Sequence, residues 1–446
     1  MFASSQGEPL LRKNSVASIA NGSSHTRVNV TEIERYEQMQ HRRCKLKLFL
    51  AILGALSVTG FLAWLYIDHT VPEFNQYRLV KSFAQADLNS SSGSSSNSNG
   101  KDQLRIILLW NSFFGDTRWS LPDDVVDPSY FRQDLKCPIS QCVITNKRDL
   151  FPQLSMYDAI LFHTAQPYSV INRVPTQRSR RQLYVFALME PPGETKHILS
   201  DENDFYNLTM TYRTDSDIVW AYNWFVDKET NMRILPMEHP KWRQVPMFYN
   251  DTTIWNLWPK KTKMAAWFVS HCKTLSRREE LTAELQKYMD VDVYGKCGTF
   301  SCQQGSPECD RLLDEKYKFY FSFENSLCID YITEKLYRIM GLNIIPVVFG
   351  GADYKQFLPP YSYINAEDYA TPAELANYLM YLSERPIEYM RYFWWREHYE
   401  LQFYSPFCEL CQRLHQPQYF LKTQSYSNIE QWWLQGSCRF KSRIAF

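Results

Sequence analysis

The chain lacks any excess of charge: 49 Lys and Arg face 48 Asp and Glu over 446 residues, a formal net charge of +1. A polyanion partner calls for a basic face, so nucleic acid is set aside. No internal repeat is visible either. What remains is a globular composition, 45% hydrophobic and 22% charged, long enough for two or three domains. Aromatic residues are abundant, with 29 Tyr, 27 Phe and 13 Trp. Most belong in a core, but such chains also favour surfaces on which sugars or nucleotides stack.

Residues 48–67 (LFLAILGALSVTGFLAWLYI) carry no charge. A helix of that length crosses roughly 30 Å of hydrocarbon. Arg42, Arg43, Lys45 and Lys47 precede it, whereas Asp68 and Glu73 follow. That asymmetry places 1–47 in the cytoplasm and everything after 67 in a lumen or outside. A cleaved signal peptide is the rival reading. The long apolar core, its distance from Met1 and the missing small-residue cleavage site argue against it. Of eleven cysteines only Cys44 falls on the cytoplasmic side, so the other ten are expected in disulfides. Sequons at Asn89, Asn207 and Asn250 lie on the side where glycans are added; those at Asn21 and Asn29 do not.

Residues 68–103 include the tract NSSSGSSSNSNG, which has nothing to bury and reads as a flexible stem. Beyond it, apolar runs at 104–110, 159–163 and 183–189 read as buried strands. After a Pro- and Trp-rich stretch a second series follows: strands at 264–270, 291–295, 317–323 and 343–349, with helices at 277–289 and 330–340. Strands alternating with helices predict parallel sheets. Two such series predict an α/β head of two Rossmann-like lobes facing a cleft, at 104–258 and 259–400. A cysteine-containing segment, 401–446, closes the chain. Ligands in such sheets bind beyond the carboxyl ends of the strands.

The stretch from Tyr317 to Lys335 reads YKFYFSFENSLCIDYITEK. An aromatic strand ending in Glu324-Asn325-Ser326 and leading to a helix with Glu334 and Lys335 in its first turns is a candidate anion site. Free N–H groups and the helix dipole favour phosphate, and the lysine adds a charge. The spelling FxFENSxxxDYxTEK resembles the signature of the α1,3-fucosyltransferases of glycosyltransferase family 10. VDVYGKC at 291–297, IPVVFGG at 345–351, and WFVSHC at 267–272 followed by Arg277-Arg278 resemble that family's donor lobe in the same order. The resemblance spans roughly 104–400.

It implies a GT-B type fold and fucosyl transfer from GDP-fucose. Carried over by position, Glu334 would hold ribose or fucose hydroxyls and Lys335 the diphosphate, with Tyr331, Glu324 and Asn325 in the same pocket. Arg278 matches the arginine that binds the diphosphate, and Arg277 is its competitor in register. A guanidinium suits phosphate through paired hydrogen bonds, and fixed cations stabilise departing GDP. ALMEPPG at 187–193 sets Glu190 after a strand, fixed by two prolines, where the family carries its general base. TYRTDSD at 211–217 resembles an acceptor-lobe segment, although Ala221-Tyr222 departs from the usual Tyr-Gly order.

Cys408-x-x-Cys411 with His415 and Cys438 could be written as zinc ligands, but disulfides are expected, as for C-terminal CxxC pairs in the family. Cys297, Cys302 and Cys309 are further disulfide candidates. Asp215-Ser-Asp217 and Asp290-Val-Asp292 have the spacing of a metal–diphosphate motif without the strand-end setting. No metal or other cofactor is therefore required, and a divalent cation such as Mn2+ is at most stimulatory.

The expected protein is a type II Golgi membrane enzyme with a lumenal head. It would pass fucose, with inversion, in α1,3 linkage to a GlcNAc of glycoprotein N-glycans. The cysteine-rich insertion is similar to that of invertebrate members acting on the core GlcNAc. A Lewis-type antennary GlcNAc is the alternative acceptor. A catalytically silent lectin-like protein and a protein O-fucosyltransferase are the rivals.

Overall fold

The computed structural model describes residues 103–165, 178–194, 202–236, 240–303, 305–421 and 424–446. The span at 48–67, Cys44 and Asn89 lie outside them. Among the described residues no helix is long and apolar enough to cross a membrane.

The first lobe is built on a seven-stranded sheet: β1 (Arg105–Leu109), β2 (Val125–Val126), β3 (Cys142–Thr145), β4 (Ala159–His163), β5 (Leu183–Leu188), β6 (Leu208–Thr211) and β7 (Ile218–Val219). Its order is β2-β3-β1-β4-β5-β6-β7, parallel except for β2. A short antiparallel sheet adds β8 (Trp224–Asp227) and β9 (Met232–Arg233). The second lobe carries β10 (Lys263–Phe268), β11 (Val291–Tyr294), β12 (Tyr317–Phe323), β13 (Leu327–Cys328), β14 (Ile345–Phe349) and β15 (Ile364–Asn365). Its five-stranded parallel sheet runs β11-β10-β12-β14-β15. β16 (Tyr399–Gln402) joins β8, and β17 (Cys438–Arg439) pairs with β13.

Side-chain alternation explains why the first-lobe strands are continuously apolar. In β1, Ile106 and Leu108 enter the core on one face of the sheet while Ile107 and Leu109 enter the other. β4 and β5 divide the same way, so both faces are covered and the strands are apolar up to His163 at the end of β4. β6 (LTMT) is different. Thr209 and Thr211 are buried but satisfied, Thr209 by Asp217 and Thr211 by Ser216.

The segment after 400 is not a separate piece. Its helix Pro406–Leu414 covers one face of the first sheet, and Ile429 and Trp433 cover the other. Ile444 ends in the core of the second lobe. The expected helix at 330–340 begins later, at Glu334, because Asp330 is left-handed (φ 57°) and Thr333 caps the first turn.

All ten described cysteines are paired, as Cys137–Cys408, Cys142–Cys411, Cys272–Cys297, Cys302–Cys309 and Cys328–Cys438. The CxxC cysteines bond to the first lobe rather than to each other. Their bonds span 271 and 269 residues but lie side by side. Whichever forms first closes the long loop, worth about 5–6 kcal/mol in unfolded-chain entropy, and the second closes a small ring worth about 3. Replacing Cys142 and Cys411 together with Ala should therefore cost roughly 3 kcal/mol in guanidinium unfolding, and removing both bonds roughly 8. Losses from the second removal no larger than from the first would contradict this.

Candidate active site

In the first sheet the strand order reverses between β1 and β4, and chain leaving those carboxyl ends forms a crevice. Phe113 and Phe114 follow β1, His163 ends β4, and Glu190 stands two residues past β5. Asn111 fixes this corner: its Oδ1 accepts from the His163 N–H (2.9 Å) and its Nδ2 donates to the His163 carbonyl (2.7 Å). Trp119 donates its indole N–H to the Asn111 carbonyl (2.6 Å) and stacks on Trp220, 6.1 Å between centroids and 9° between planes. Phe113 packs between Trp220 and His163. Burial pulls the His163 pKa down to about 4, so the ring is neutral at working pH.

These aromatics floor a pocket of about 430 Å³ whose lining includes Glu190, Tyr222 and Glu334. Glu190 belongs to the first lobe and Glu334 to the second. Tyr222 donates to the Met189 carbonyl (3.0 Å), holding the residue before Glu190 in place. The loop continues Pro191-Pro192-Gly193, and a Cβ at Gly193 would meet Leu275 Cδ1 at 2.6 Å and Ser326 Oγ at 3.2 Å. Glycine thus lets this loop press against the second lobe. Desolvation lifts the Glu190 pKa above the usual carboxylate value; Lys335 pulls it down, and Glu194, Glu334 and Glu324 push it up.

The second sheet reverses order at β10 and β12, and its site gathers at the end of β12. Glu324 is 1% exposed. Its Oε1 accepts the Thr333 N–H and hydroxyl, both at 2.9 Å, and its Oε2 pairs with Lys335 Nζ at 2.9 Å. Lys335 Nζ also donates to Thr333 Oγ1 (2.9 Å) and lies 3.7 Å from Glu334 Oε1. Burial weakens the lysine's hold on its proton, but Glu324 and Glu334 outweigh that and raise its pKa. Arg278, 4% exposed, turns its guanidinium inward to the carbonyls of Phe323 (2.6 Å) and His271 (3.2 Å). Arg277 points outward, half-exposed and paired with Glu280. The helix phase thus separates two residues that the sequence left interchangeable. Asn325 is buried, with its carbonyl accepting from the Ser276 N–H (3.0 Å). Arg278 Nε, Asn325 Oδ1 and Ser326 Oγ are buried without a protein partner. Such orphaned groups are what a polar ligand satisfies. Tyr331 sits 5.0 Å from Tyr212 of the first lobe, with Lys335 Nζ 5.8 Å from its ring, and burial keeps its hydroxyl protonated.

Two family models match the chain: "Fucosyltransferase, N-terminal" over residues 102–223 and "Glycosyltransferase family 10 (fucosyltransferase) C-term" over 258–432. "Alpha-(1,3)-fucosyltransferase C" of Drosophila melanogaster is 52% identical over 340 residues, covering 76% of this chain and 80% of its own. The chain belongs to glycosyltransferase family 10, the fucosyltransferases. It is an enzyme of the α1,3-fucosyltransferase class. "Glycoprotein 3-alpha-L-fucosyltransferase A" of the same fly is 34% identical over 69% of this chain and 57% of its own. A solved "alpha1,3-Fucosyltransferase with GDP-fucose" aligns at TM-score 0.38 and 15% identity over 72% of this chain and 92% of that one, too loosely to carry residue correspondences.

Within this fucosyltransferase several sequence candidates have structural partners. Asp215 pairs with Arg213, Asp217 accepts from Thr209 and Tyr426, and Asp292 pairs with Lys263. Cys142, Cys411 and His415 cluster like metal ligands, but the two sulfurs are bonded to each other and both ring nitrogens face backbone carbonyls. The loop of Cys297, Cys302 and Cys309 adjoins β11 and does not line the aromatic pocket. Asn250 is exposed, whereas Asn207 is half-buried, with its amide donating to the Gln424 carbonyl (2.7 Å). Of the pocket floor, Phe113, Phe114 and Trp119 were missed from sequence, whereas Trp220 and Tyr222 lie in the stretch following the acceptor-lobe segment at 211–217. The signal available was the Asn111-Ser-Phe-Phe run directly after a strand.

Replacing Lys335 with Met strands the buried Glu324 carboxylate and should cost roughly 3–5 kcal/mol of stability. The double variant Glu324→Gln/Lys335→Met should recover most of that melting temperature while GDP-fucose binding stays weak. Recovery of binding along with stability would show that Lys335 serves the fold alone.

Proposed function

We propose that this enzyme transfers fucose from GDP-fucose to a GlcNAc of glycoprotein N-glycans, in α1,3 linkage and with inversion. The observation that carries the reading is that one pocket is lined by Glu190, a first-lobe carboxylate of raised pKa, and by Glu334 of the second lobe, whose carboxylate lies 3.7 Å from the Lys335 ammonium. The acceptor sugar lies on the aromatic floor. Its hydroxyl oxygen attacks the fucose anomeric carbon as the bond to the β-phosphate oxygen breaks. The hydroxyl proton passes to Glu190, and GDP leaves with the bonding pair. Arg278 and Lys335 offset the charge that builds on the diphosphate, so the scheme needs no metal. Glu334 holds sugar hydroxyls, and Asn325 and Tyr331 complete the donor pocket.

The proposed acceptor is the innermost GlcNAc, on the similarity of the cysteine loop to invertebrate members acting there. Residues 48–67 would anchor the enzyme in the Golgi membrane with its head in the lumen, a compartment that suits five disulfides.

Glu190→Gln tests the base. It should lower kcat by about 10²–10⁴ while leaving GDP-fucose affinity within a few-fold. A carboxyl whose folded pKa is raised favours folding below its unfolded value near 4.5, and that advantage is lost as pH rises through the folded pKa. The amide is therefore expected to melt higher than wild type at pH 7 but not near pH 4. Retained turnover would exclude Glu190 as the base. Mass spectrometry of the product made on a free N-glycan core, beside an antennary acceptor, reads the site of transfer; fucose on the antenna alone would overturn the core reading.

A further inference from the structure

The loop that delivers Thr333, Glu334 and Lys335 belongs to the second lobe in sequence, yet the first lobe holds it. Thr214, just past β6, donates its N–H (3.0 Å) and its hydroxyl (2.6 Å) to one carboxylate oxygen of Asp330. Asp330 is left-handed, so the chain turns sharply there and drives Tyr331 into the first-lobe core against Tyr212. Behind the loop, β17 pairs with β13, Cys438 bonds to Cys328, and the Ile329 N–H reaches the Ser437 carbonyl at 2.8 Å.

That strap is fastened to both lobes. Arg213, 5% exposed, donates to Ser437 Oγ (2.8 Å) and to the Trp432 carbonyl (2.7 Å), and Asp215 grips its other edge. Just past the disulfide cysteine, Arg439 pairs with the Glu367 carboxylate, whose side chain is 4% exposed, and reaches the Gly350 carbonyl (3.0 Å). Underneath, a Cβ at Gly351 would meet the backbone of Leu327 and Cys328 at 2.3–2.6 Å, so the loop has no room to sink into its own lobe.

We propose that Thr214 and Asp330, backed by the Cys328–Cys438 bond, form an interlobe latch that positions the donor loop. The two residues touch neither substrate in this account; they act through the backbone of 331–333, which carries Lys335 and Tyr331. The inference rests on the GDP-fucose reading above. Misplacing a binding loop by about 1 Å can cost on the order of a hundredfold in rate, and hydrogen bonds to a carboxylate are the strong ones. Loosening the latch should therefore be felt by the donor and not by the acceptor, whose pocket floor is held by Asn111 and Trp119.

The test is steady-state kinetics of the full chain with GDP-fucose and the N-glycan acceptor, each varied in turn, beside melting temperatures. Asp330→Ala is expected to raise the GDP-fucose KM about tenfold or more, with the acceptor KM within twofold. Thr214→Val, which removes one hydroxyl, should shift the donor KM in the same direction and by less. Thr214→Ser, which restores it, should return to wild type. Should Asp330→Ala fail to fold, the Val and Ser pair decides. A donor KM within twofold of wild type in Asp330→Ala and Thr214→Val overturns the latch, as does a parallel rise of donor and acceptor KM. Wild-type enzyme that released no GDP from GDP-fucose would sink the transfer reading and the latch with it, whereas active wild type with flat variants sinks the latch alone.

Discussion

A single buried carboxylate, Glu324, organises the second-lobe half of the site. It is 1% exposed, and its charge is held by the Thr333 N–H, the Thr333 hydroxyl and Lys335. Its backbone is equally committed: its N–H donates to the Phe349 carbonyl (2.8 Å) and its carbonyl accepts from Ser276 Oγ (2.7 Å). One residue therefore ties β12 to β14, to the turn before the arginine helix, and to the start of the helix Glu334–Met340. The start of that helix is already occupied by the protein's own anion. In the proposed reading phosphate recognition therefore rests on Lys335 and Arg278 rather than on bare helix N–H groups, which shifts the weight of the sequence argument from the dipole to the cations.

The two sheets share a logic. Each reverses strand order beside its first strand, and each gathers candidate site residues just past strand ends at that reversal. The first-lobe side is aromatic with the carboxylate Glu190; the second-lobe cluster holds Lys335 and Arg278 with orphaned polar atoms. The Gly193 contact and the Thr214–Asp330 hydrogen bonds bring the two together. The charge difference follows the proposed chemistry, since a glycan presents apolar faces and hydroxyls while a diphosphate presents only negative oxygens.

Much of this was legible in the sequence because burial on both faces of a sheet forces apolar runs, and β1, β4, β5 and β14 carry them. Short strands with threonine, such as β6, escaped because their polar side chains are satisfied only by residues such as Asp217 and Ser216. The helix began at Glu334, four residues later than periodicity suggested, because a left-handed Asp330 is invisible to a pattern of apolar residues. Cysteine pairing was beyond reach for a topological reason: Cys408 and Cys411 sit on a helix whose partners lie about 270 residues earlier. Phe113 and Trp119 of the pocket floor were missed because they meet Trp220 only once the sheet has formed. The adjacent Arg277 and Arg278 differ by one step of helix phase, and a left-handed Arg277 (φ 57°) sets that step.

That last distinction gives the most direct test of the account, in which the buried guanidinium serves the nucleotide and the exposed one does not. Calorimetric titration of GDP into wild type, Arg278→Lys and Arg277→Lys reads it without turnover. Arg278→Lys should weaken GDP by about tenfold or more, because an ammonium cannot span the Phe323 carbonyl and a phosphate as a guanidinium does. Arg277→Lys should bind as wild type does. Loss of affinity in Arg277→Lys with affinity retained in Arg278→Lys would contradict the account.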